Sequence, residues 1–215
     1  MSVSRAPQDH AVHPLLVTLA LAMGAFAIGT TEFAAMSLVP FFASDLHLSE
    51  AEAGHAISMY ALGVVVGAPT IAVLAAKLPR RQLLVGLMAL FAVGNGLSAL
   101  AGNYHVLLLC RFISGLPHGA YFGLAALVAA SLVPPNKRAQ SVANVMTGLT
   151  VATIIGVPMA NWLGQALGWR WGFGVVAVLA VISMTLVAMF ARVRPPIRKP
   201  APCASLARCA VRRWC

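Results

Sequence analysis

The chain has 215 residues, of which 60% are hydrophobic and only 9% charged, and its mean hydropathy is +0.86. Soluble domains are about 25% charged, so these values exclude an ordinary soluble fold, a disordered chain and a disulfide-stapled secreted module. Fifteen Lys and Arg face five Asp and Glu, a net charge of +10. Because the basic residues sit in short loops between apolar runs, membrane topology accounts for them and nucleic-acid binding does not.

Residues 1–13 form an N-terminal segment ahead of the first apolar run. Apolar runs then follow at 14–40, 53–75, 83–101, 105–131, 139–164 and 171–191. A membrane-crossing helix needs about 20 residues, so each run suffices for one. The runs are continuous, without the alternation of a membrane barrel, which predicts an all-α bundle of six transmembrane helices over 14–195. The first run far exceeds the apolar core of a cleavable signal peptide and is expected to stay as a helix.

The first run carries Glu32 within Gly29-Thr-Thr-Glu-Phe33. A carboxyl at membrane depth is costly unless it is paired, hydrated or protonated. The loop after the second run holds Lys77, Arg80 and Arg81. The fourth run carries Arg111, which cannot shed its charge and so needs a partner or water. Counted from Pro40 and His105, Glu32 and Arg111 lie at similar depths, about 9–12 Å from the same membrane face. They are therefore placed to meet. A carboxylate balanced between burial and a mobile cation can take up and release a proton, which is a proton-coupling device. A structural ion pair and a hydrated Glu32 are the plainer readings.

Further along the fourth run, Gly115, Gly119 and Gly123 follow Arg111 at four-residue spacing, a helix-packing face. His118 and Tyr121 lie beside it, and a lone intramembrane His is more often a hydrogen-bonded packing residue than a proton relay. The fifth run offers Asn144 and Thr147 as cavity or substrate candidates. It also carries a second small-residue stripe through Gly156, with Pro158 next to it. Asn95, Thr150, Thr153 and Asn161 are polar positions of the same kind, equally suited to holding helices together.

Counting Lys and Arg by loop sets the orientation. Thirteen lie in the terminal segments and the loops after the second and fourth runs, against Arg170 alone on the opposite side. Both termini are thus expected in the cytoplasm, with Asp45, Glu50 and Glu52 outside. Residues 196–215 form a basic tail without acids, and its Cys203, Cys209 and Cys215 match no zinc spacing. The tail reads either as a frameshifted end or as a basic segment drawn to anionic lipid. The chain lacks the HExxH, GxSxG and GxxxxGK[ST] motifs. An enzyme is not expected, nor a metal or other cofactor.

Several segments resemble one family. Arg111-Phe-Ile-Ser-Gly115-Leu-Pro-His-Gly119-Ala120 is similar to the fourth-helix motif RxxxGxxxGA of major facilitator superfamily transporters. Gly-Thr-Thr-Glu-Phe with the following Ser-Leu-Val-Pro resembles the acidic first-helix motif of the family's drug:proton antiporters of the arabinose-efflux-permease-like group. Trp169-Arg170-Trp171 with Phe173 looks like the turn before their sixth helix. The loop at residues 75–81 keeps the basic residues of the GxxxDRxGRR motif, with Ala76 in place of the acid and Pro79 in place of a glycine. Gly156-Val-Pro158 departs from the fifth-helix antiporter motif by one position.

The resemblance covers residues 14–195 and implies the N-terminal half of a twelve-helix transporter with its substrate site between two halves. It implies proton-coupled efflux of small organic molecules, such as drugs or sugars, across the bacterial inner membrane. Glu32 would be the titrating acid, Arg111 its modulator, and Lys77, Arg80 and Arg81 the gating loop. The expected partners are lipid, protons, a small-molecule substrate, and a second six-helix half or a second copy of the chain. A non-transporting membrane scaffold or an inert half-transporter is the alternative.

Overall fold

The computed structural model describes residues 14–74 and 78–191. The terminal segments expected at 1–13 and 196–215, and Lys77 of the gating loop, lie outside the described residues. The elements are α1 (Pro14–Asp45), α2 (Glu50–Leu74), α3 (Arg80–Ala99), α4 (Tyr104–Ser131), α5 (Arg138–Val151), α6 (Val157–Leu167) and α7 (Trp169–Phe190). A π-helical turn at Ala152–Gly156 joins α5 to α6, so these two form one span, and the described residues hold six membrane-crossing lengths. No strand occurs among the described residues.

Three features go beyond the apolar runs for identifiable reasons. α1 runs past Pro40 for more than another turn, because membrane helices tolerate an internal proline better than soluble ones. The extra length carries Asp45 to the first residues of α7. α2 begins at Glu50 because Ser49 caps it. The Ser49 backbone N–H donates to the Glu52 carboxylate at 2.9 Å, while the Glu52 N–H donates to Ser49 Oγ at 3.2 Å, a reciprocal capping box. The fifth span is not a uniform helix. Pro158 brings no N–H to bond a preceding carbonyl, and the π turn lies directly before it.

α1 is the most enclosed helix, with neighbours α2, α5, α6 and α7. α4 holds the matching position against α2, α3 and α5. Exchanging α1 with α4, α2 with the α5–α6 span and α3 with α7 maps most of these neighbours onto one another, the pattern of two three-helix repeats. The large core cluster is built from Leu21, Ile28, Leu84, Phe91, Tyr121 and Val176. A smaller one, with Leu38, Phe42, Trp169 and Phe173, fills the end that carries Asp45. Large apolar side chains such as Val73, Ile154 and Val178 point outward, as lipid-facing residues do.

Candidate functional site

α4 places Arg111 inside the bundle, where it is 1% exposed. Close approach of α2 makes this possible. A Cβ on Gly63 would collide with the Phe112 carbonyl, and one on Gly115 with the Tyr60 carbonyl. Glycine at both positions lets the two backbones touch and brings Tyr60 alongside Arg111. The guanidinium carbon lies 4.6 Å from the Tyr60 ring centroid and 4.8 Å from that of Phe173 on α7. Two aromatic faces thus replace part of the lost hydration of the charge.

One edge of the guanidinium is tied to α3. Arg111 Nη1 donates to Asn95 Oδ1 at 3.2 Å, and Thr31 Oγ1 on α1 donates to the same oxygen at 2.7 Å. Asn95 Nδ2 donates to the Phe91 carbonyl at 2.9 Å, so the amide is well occupied. Asn95, Thr31 and Arg111 are each buried. This small network joins α1, α3 and α4 across the bundle centre. Arg111 Nε and Nη2 have no hydrogen-bond partner among the described residues.

Glu32 is half-buried and lies one residue after Thr31 on α1. It makes no hydrogen bond or ion pair among the described residues. The expected meeting with Arg111 is therefore not an ion pair here, because Arg111 is held by Asn95, Tyr60 and Phe173 instead. The two nevertheless line one cavity of about 280 Å³, together with Tyr60, His118, Met36 and Ile57. His118 Nδ1 is 2.9 Å from the Tyr60 hydroxyl, and their rings meet edge to face. Glu32, Arg111 and His118, read separately from the sequence, thus share one chamber.

Other candidates are placed elsewhere. Tyr121, expected at a cavity, is fully buried in the core and donates to the Leu21 carbonyl at 2.8 Å. Asn144 and Thr147 are exposed on α5, away from the Glu32 chamber; Thr147 lines a separate cavity of about 360 Å³ with Leu19, Met23 and Phe26, and its hydroxyl bonds back to the Asn144 carbonyl at 2.7 Å. A Cβ on Gly156 would collide with the Thr30 side chain. Gly119 packs against Ala68. Gly123 does not pack. A Cβ there would meet nothing within 4 Å, because α2 and α4 separate around a cleft of about 420 Å³ that Gly123, Leu127 and Arg80 line. Pro158 is exposed and shapes the helix through its backbone rather than by packing. Arg81 donates to the Ala188 carbonyl at the end of α7.

Two features escaped the sequence reading. Tyr60 carried no signal, since an aromatic in an apolar run is usually core. Asp45 and Arg170 stood out only by charge, yet they form an ion pair. Trp169 Nε1 also donates to Asp45 at 3.1 Å, and Arg170 Nη2 reaches the Ala101 carbonyl at 3.1 Å. This clamp closes one end of the bundle over α1, α7 and the turn before α4. No three His, Cys, Asp or Glu side chains gather as metal ligands among the described residues.

Comparison with known proteins agrees with this architecture. The family model described as Major Facilitator Superfamily matches residues 21–208. The Escherichia coli (strain K12) inner membrane transport protein YdhP is 50% identical over 188 residues, which is 84% of this chain and 48% of YdhP. A chloramphenicol resistance protein of Streptomyces lividans is 41% identical over 158 residues, 74% of this chain and 40% of that protein. Among solved structures, the proton:xylose symporter XylE superposes with a TM-score of 0.72 at 18% identity, over 84% of this chain and 45% of XylE. The chain spans about half the length of the curated relatives it matches. The chain belongs to the Major Facilitator Superfamily, whose members are membrane transporters and not enzymes.

Proposed function

We propose that this six-helix unit serves proton-coupled efflux of small organic molecules across the bacterial inner membrane, with Glu32 as the titrating group. The observation behind this reading is the chamber. Glu32 is a half-buried carboxyl with no hydrogen-bond or ion-pair partner among the described residues, and it shares a cavity with a buried guanidinium. A carboxyl that shares a cavity with a fixed cation, in a bundle that can open or close around it, is a group whose charge a motion can switch. Such a motion moves a proton on or off Glu32. The relative named for chloramphenicol resistance supports efflux of organic molecules, and the proton symporter with the same fold supports coupling to protons.

Thirteen basic residues in the terminal segments and the two loops on their side support cytoplasmic termini. Alternating access needs a second bundle to move against. A second copy of the chain or a separately made six-helix half would supply it.

The test is flux. Proteoliposomes holding the chain, with an imposed pH gradient, should transport chloramphenicol. Glu32→Gln should reduce that flux to background, and full coupling in the variant would sink the assignment. Because the chain spans half of its curated relatives, a second reading is a membrane accessory that packs against a partner. Folded helices with no flux at any protein density would favour it.

A further inference from the structure

We propose that the Nε–Nη2 edge of Arg111 is an anion site that receives the carboxylate of a small, otherwise apolar monocarboxylate entering the Glu32 cavity. Three contacts of the guanidinium are made within the bundle. Nη1 is spent on Asn95, and the guanidinium carbon lies over the rings of Tyr60 and Phe173. Nε and Nη2 remain, fully buried and without a partner among the described residues. A buried cation left without a counter-charge is strongly disfavoured, so this edge attracts an anion. Its two N–H groups run parallel and match the two oxygens of a carboxylate.

The cavity selects the rest of the ligand. Arg111 lines it, and most of its wall is apolar, from Ala35, Met36, Ile57, Val64 and Val65. Tyr60 and His118 are already bonded to each other, which leaves few groups for a polyhydroxylated ligand. A halide would use the charge but neither the two-point match nor the apolar wall. A planar anionic head on a compact apolar body uses all three. Glu32 lies in the same cavity, so in its ionised form it opposes such a ligand. The inference rests on the proposed function only in taking this cavity as the place a transported molecule enters.

Thermal unfolding of the full chain in detergent tests it, with benzoate as probe and benzamide and chloride as controls at fixed ionic strength. Benzoate should raise the transition temperature saturably, and benzamide should not. Arg111→Gln should abolish the effect. Arg111→Lys keeps the charge but not the fork, and should weaken apparent affinity by about tenfold. Glu32→Gln should tighten binding. An undiminished response in Arg111→Lys, or equal stabilisation by chloride, would overturn the carboxylate site. A response confined to Glu32→Gln would show that Glu32 itself occupies the edge, and would also overturn it. Binding is read without flux, so a failure of transport and a failure of this site are separate results.

Discussion

Asn95 is the residue on which the centre of the bundle depends. Its carbonyl oxygen accepts from both Thr31 and Arg111, and its amide returns a bond to its own helix. Asn95→Leu keeps the branched shape but leaves the Arg111 Nη1 group and the Thr31 hydroxyl without an acceptor. Loss of a buried hydrogen-bonding partner of a charge costs about 2–3 kcal/mol. Thr31→Val removes only one neutral bond and should cost about 1 kcal/mol. Thermal or denaturant unfolding in detergent should rank the two variants in that order. At this scale the sequence was partly legible. Glu32 and Arg111 stood out because ionised side chains are rare in apolar runs. Asn95 looked like any helix-bridging amide, and Tyr60 like any core aromatic. Their roles depend on which helices become neighbours, and that information lies outside each run. Asp45 and Arg170 were hidden in the same way, since they are far apart in the chain and meet only when α1 and α7 align.

The spans themselves were the most legible elements, because length and continuous apolarity are enough to define a membrane helix. The small-residue stripes were visible as well, though not which of their members touch. Gly115 does, meeting backbone across the α2–α4 seam, where Gly63 and Gly67 of α2 answer it from the other side. Gly115→Val should force the seam apart and cost about 3 kcal/mol. It should also disturb the chamber, since Tyr60 rides on the opposing backbone. Gly123 is on the same helix stripe but faces open space. Gly123→Ala should stabilise the helix by about 0.5–1 kcal/mol. Equal effects from the two substitutions would contradict the seam. The π turn at Ala152–Gly156 could not be read from the sequence, because the same residues suit an ordinary membrane helix.

Across the whole molecule, charge sets the expected orientation and the repeat sets the neighbours. The repeat was not visible in the residues. Structural repeats keep neighbour relations while side chains drift, and here α1 and α4 share a position but carry different chemistry. Orientation is checked by labelling. In a cysteine-free background, Ser49→Cys should react with a membrane-impermeant thiol reagent applied outside cells. Pro135→Cys should react only after permeabilisation. The opposite pattern would reverse the topology and move Glu32 toward the other compartment.

The wall of Arg111 also has a temporal meaning. Chains are made and inserted from the N-terminus. When α4 is made, Tyr60 and Asn95 already exist, whereas Phe173 is still two spans away. Until α7 docks, a growing chain holds a cation with one face uncovered. Docking of α7 is therefore the step that adds the second aromatic ring to Arg111, and a chain halted before Trp169 should be recognised by membrane proteases as unfinished. Pulse-chase lifetimes of the halted and full chains would show whether Phe173 sets that checkpoint.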